Sequence, residues 1–104
     1  MHPISSLFAG ALLCNALPHL VAGLQGMPFP TPFAKPHGVG DSSPVVNFAW
    51  GFANLLAGLA LLGWHPVNVG MNGDFAILLA GAFALGVLMA RHFGKVRGTG
   101  NAKL

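Results

Sequence analysis

Three apolar runs organise the chain: Leu7 to Leu24, Val45 to Trp64 and Phe75 to Phe93. Each approaches the roughly 20 residues that a helix needs to cross a bilayer. The pattern predicts an all-α integral membrane protein of three transmembrane helices, up-down-up, over about residues 4–24, 44–64 and 74–93. Polar and breaking residues mark the ends. Pro3 is tolerated in a first turn, Ser5 or Ser6 can cap it, and Gly26-Met27-Pro28 stops the helix. Ser43 and Pro44 open the second helix as cap and first helical residue; His65-Pro66 ends it beside an interfacial Trp64. The link from His65 to Gly73 is short, so the second and third helices are expected to be antiparallel neighbours, with Asp74 capping the third. Gly81 and Gly86 give that helix small surfaces for close packing.

The long first connection, residues 25–43, breaks the pattern. Pro28, Pro30, Pro32 and Pro36 exclude helix and favour extended backbone. Met27, Phe29, Phe33 and Val39 are wrong for a solvated tether. The loop is therefore expected to be ordered without helix or strand, folded back onto the membrane surface or the helix ends. It serves there as an interfacial anchor or as a lid. The basic, glycine-containing tail, residues 94–104, is expected to be loose.

Composition agrees with this class. Hydrophobic residues make up 54% of the chain and charged ones 7%, against about 25% charged in soluble domains. No stretch is left for a soluble domain, so residues 1–104 form one membrane domain. The leader Met1 to Ser6 has no Lys or Arg, and Asn15, Pro18 and His19 interrupt the first run, so that segment is read as retained rather than cleaved. Cys14 is the single cysteine; with no CxxC or Cys/His ligand spacing it reads as a small buried hydrophobe.

Charge adds orientation. With three crossings, Lys35, Arg91, Lys95, Arg97 and Lys103 all fall on one side of the membrane. The positive-inside rule makes that side cytoplasmic, with the N-terminus outside, in a plasma (bacterial inner) membrane. Basic residues beside a membrane segment fit anionic lipid headgroups rather than nucleic acid.

Candidate chemistry lies inside the first two runs. Counted at the helical rise from their shared boundary, Asn15 and Asn54 each sit about 14 Å deep. His19 then falls level with Trp50 and Gly51, and Gly23 level with Asn47. Asn15, His19 and Gly23 share one face; Asn47, Gly51, Asn54 and Gly58 share another. Polar groups at membrane depth turn to protein or water, so these faces should meet. They do so either as interhelical glue or as the wall of a small polar pocket. The pocket's ligand-binding candidates are His19, Asn15, Asn47, Asn54, Trp50 and, from the covering loop, His37.

Other chemistries find little support. The sequence has no HxxxH, HExxH, GxSxG, P-loop or GxGxxG spacing, so no metal, cofactor or catalytic residue is assigned. A haem between His19 and His92 would need imidazoles of similar depth, and the count separates them by several residues. Asp41 and Asp74 fall on opposite membrane faces, which removes paired-carboxylate chemistry. Three functions follow in order. The first is a structural or accessory membrane protein that docks onto itself, as a homo-oligomer, or onto another membrane subunit. The second binds or transports a small or lipid-like molecule around His19. The third is an enzyme or cofactor protein that uses His19.

Overall fold

The computed structural model describes residues 2–98. Within them run three helices, α1 Pro3–Leu24, α2 Pro44–Trp64 and α3 Gly73–Val96, each long and apolar enough to cross a membrane.

Local chemistry accounts for most of the ends. Pro3 occupies the first turn of α1, but no side chain caps it; the serines lie inside the helix, with Ser6 buried. At the other end Gly26 takes φ 69°, which costs glycine nothing. Its N–H meets the Gly23 carbonyl while the Met27 N–H reaches back to Ala22 at 2.8 Å, a Schellman stop. Ser43 Oγ accepts from the Val46 N–H to cap α2. The cap of α3 is Asn72, whose Oδ1 accepts from the Phe75 N–H at 2.9 Å, and not the expected Asp74. Asp74 lies in the first turn, where its charge suits the helix dipole. The helix also passes Gly94 and continues to Val96, ending before Gly98 at φ 75°. Residues 94–96 of the tail expected to be loose are thus helical; residues 99–104, with Lys103, lie outside the described residues.

Tertiary packing corrects one expectation. α1 is the central helix and packs against both others, whereas α2 and α3 form no packed interface with each other. Small residues on two faces of α1 make this possible. Towards α2, the backbone near Pro44 and Phe48 lies so close to Gly23 that a Cβ there would be 2.6 Å from the Phe48 nitrogen. Gly51 meets Leu20 and Ala16, and Gly58 meets Leu13, so these helices run antiparallel. Towards α3, a Cβ on Gly10 would overlap the Leu78 carbonyl, and one on Gly81 would overlap that of Leu7. Cys14 Sγ faces Gly86, so α1 and α3 are parallel, with residue 19 beside about residue 91. A short link fixes the direction of the next helix but not its partner. Backbone approach, possible where both helices carry glycine, selected α1.

The proline-rich loop is ordered and carries a minimal ladder that its composition did not predict. β1 Phe29–Pro30 pairs antiparallel with β2 Asp41–Ser42. Pro30 is tolerated because a two-strand ladder has outer edges where its missing N–H is not needed. Thr31 Oγ1 closes the ladder with a 2.6 Å hydrogen bond to Ser42 Oγ. Phe29 packs edge-on against His19 and at a tilt against Phe93. Phe33 reaches Trp50 edge-on at 5.1 Å, yet stays 62% uncovered by protein, more than expected for a folded-back phenylalanine. At the opposite end of the bundle the His2 and His65 rings stack at 3.6 Å.

Candidate functional site

One buried amide holds the loop, α1 and α2 together. Asn47 is fully covered, and its Nδ2 donates to the carbonyls of Phe29, Ser42 and Ser43 at 2.8, 3.1 and 3.1 Å. Those three acceptors fix which way the amide points, because an oxygen placed there would face only oxygens. Oδ1 is left towards His19, 2.8 Å from Nδ1. An amide oxygen can only accept, so Nδ1 carries the hydrogen. In the neutral ring the lone pair is then on Nε2, for which no described residue provides a hydrogen-bond partner.

The same reasoning orients Asn15. Asn54 Nδ2 donates to the Trp50 carbonyl one turn back, at 2.8 Å. Its Oδ1 therefore faces Asn15 and accepts from Asn15 Nδ2 at 2.9 Å. Asn15 keeps Oδ1 without a hydrogen-bond partner among the described residues. Asn15 and His19 are one turn apart on α1, so both spare acceptors belong to one helical face. Pro18 between them has no N–H, so the Cys14 carbonyl lacks its usual helical donor.

Beside this face lies a cavity of about 260 Å³. Asn15 and His19 line it from α1, Trp50 from α2, and Leu88, Met89, His92 and Phe93 from α3; Pro30, Thr31, Pro32 and Gly38 cover it from the loop. No Lys, Arg, Asp or Glu lines it. His92 Nε2 donates to the Gly38 carbonyl at 2.7 Å, which ties α3 to the loop. Among the described residues no third His, Cys, Asp or Glu joins His19 and His92 as a metal-binding group.

Three of the residues singled out from the sequence line this cavity: Asn15, His19 and Trp50. Asn47 and Asn54 stand behind it and orient the residues that do. His37 is not brought in; it is exposed, and its Nδ1 is bonded 2.7 Å from the Pro32 carbonyl within its own loop. His19 bonds to Asn47, a turn nearer the loop than Trp50 and Gly51, because a histidine side chain spans the offset between facing turns. His92 was missed. Ending the third helix at residue 93 put it at the membrane edge, whereas the helix to Val96 in parallel register sets it level with His19. The signal was available: no proline follows the apolar run before Gly98, and the lone Gly94 does not by itself end a helix.

Compared with known protein families, curated proteins and solved structures, the chain matches none of them.

Proposed function

We propose that this chain is a membrane-embedded binding protein that holds a small molecule in the cavity beside His19. The observation that carries this is the pairing of a cavity with an imidazole whose tautomer is fixed from behind and whose Nε2 has no protein partner. Histidine used only as interhelical glue would gain from engaging both nitrogens. A volume of about 260 Å³ falls just below drug-sized sites, which span roughly 300–1,000 Å³. Three helices in one copy enclose no pathway across a membrane, so binding rather than transport is the activity assigned to a single chain. The chain sits in a bacterial inner membrane, N-terminus outside, with the loop, the cavity mouth and the basic end of α3 cytoplasmic. Anionic headgroups are the partners of that basic end, where Arg97 lies over the Phe29 ring.

An accessory role has its own support, since Leu79, Phe83, Val87 and Leu88 of α3 are uncovered by protein and could meet a second copy or another membrane subunit. Native mass spectrometry of gently extracted protein separates the two. A bound small molecule should accompany the wild-type chain and be reduced or lost in Met89→Trp, which narrows the cavity and removes no polar group. Protein subunits without any small-molecule adduct in either sample would favour the accessory role.

A further inference from the structure

We infer that the ligand is a neutral, mostly apolar molecule bearing a hydroxyl group that donates to His19 Nε2 or Asn15 Oδ1. This rests on the binding function proposed above and adds the ligand's chemistry. Asn15, His19 and His92 offer the cavity acceptors, while Trp50 carries an indole N–H, a donor. Asn15 has spent its Nδ2 on Asn54, and His19 has spent its Nδ1 hydrogen on Asn47. His92 has spent its Nε2 hydrogen on the Gly38 carbonyl, which leaves Nδ1 with the lone pair of the neutral ring. Thr31 Oγ1 accepts from the Phe33 N–H and shares its hydroxyl bond with Ser42. A ligand carbonyl or ether could meet the Trp50 N–H but would leave these lone pairs unpaired, which is costly away from water. A hydroxyl can donate to a lone pair and accept from the indole.

Charge narrows the class further. An anion would meet lone pairs and no Lys or Arg in the lining. A cation would have no carboxylate there to offset its desolvation at membrane depth. A neutral O–H donor satisfies the acceptors without either cost. The remaining walls, Trp50, Leu88, Met89 and Phe93, take an apolar body, and the two aromatic rings suit a flat one. A phenol combines both features.

The test uses the full-length chain in detergent micelles with Trp64→Phe, so that Trp50 alone emits; Trp64 lies at the other end of α2, beside His65. 4-Bromophenol and 4-bromotoluene are matched in size, and bromine quenches an indole it touches. At equal mole fraction in the micelle, 4-bromophenol should quench Trp50 saturably, and 4-bromotoluene should bind about tenfold more weakly, the worth of one well-made hydrogen bond. His19→Leu should remove most of that preference; if it fails to fold, the comparison on the His19 protein decides alone. Equal saturable binding of both compounds would overturn the hydroxyl inference and leave the binding function standing. Saturable quenching by neither, together with no small-molecule adduct by native mass spectrometry, would overturn both.

Discussion

Asn47 and His19 are 28 residues apart in sequence, and the 2.8 Å contact between them links the loop's fold to the state of the imidazole. The amide that holds the carbonyls of Phe29, Ser42 and Ser43 is the one that keeps hydrogen on His19 Nδ1. Loop closure and the lone pair on Nε2 are thus outcomes of a single side-chain orientation. Removing Asn47 should undo both.

Asn47→Leu would leave three carbonyls and one imidazole N–H without this partner. The loop should lose about 2 kcal/mol of stability towards local opening, since each buried group left unmade costs about 1–3 kcal/mol and water can reach some of them. Hydrogen exchange at the Gly38 amide, bonded to the Thr31 carbonyl at 2.9 Å, reports this directly. Unchanged Gly38 protection would show that the ladder and Thr31–Ser42 pair hold the loop without Asn47.

Gly10→Ala places a methyl group into the Leu78 carbonyl of α3, where backbone rather than a flexible side chain must move. Overpacking of this kind typically costs about 1–3 kcal/mol. Because Cys14 is the single cysteine and faces Gly86 across the same seam, maleimide labelling should speed up as α1 and α3 part. Gly63→Ala, with nothing near the new methyl, should leave the rate as it was. Equal labelling in both variants would mean the helices separate too little to matter.

The stacked His2 and His65 rings make one pH-dependent contact. Desolvation, and then the charge of His2, lower the His65 pKa from its ordinary 6.5. A histidine whose folded pKa is depressed binds fewer protons folded than unfolded between the two values. The contact therefore stabilises above about pH 6.5, and its contribution fades as pH falls through the lower folded pKa. NMR titration of the His65 ring should give a midpoint below 6.5 that moves back up in His2→Ala. A midpoint indifferent to His2 would assign the shift to desolvation and the N-terminal charge.

The orientation proposed above rests on Lys35, Arg91, Lys95, Arg97 and Lys103, which three crossings would place on one side. A reporter fused after Leu104 should be cytoplasmic, and one before Met1 external. Labelling of the C-terminal reporter from outside intact cells would reverse the side on which the cavity opens.

The sequence by itself determined the linear plan. Ser43-Pro44 and His65-Pro66 bracket α2, and Gly26 ends α1, because caps, prolines and positive-φ glycines act within a few residues. It also carried the level of Asn15 and Asn54, since amides at membrane depth need partners and an antiparallel pair with known ends leaves few registers. Tertiary structure decided the rest. Whether α3 chose α1 or α2 depended on where Gly10 and Gly81 let backbones touch, a choice between surfaces that no local signal encodes. The amide of Asn47 could have pointed either way until Phe29 and Ser42 brought their carbonyls to it from a folded loop. His92 joined His19 only because α3 ran parallel to α1 and one turn further than its apolar run. Depth along a helix is a property of the chain; which groups meet across the gap depends on helices whose contacts are made by backbone and by single hydrogen bonds.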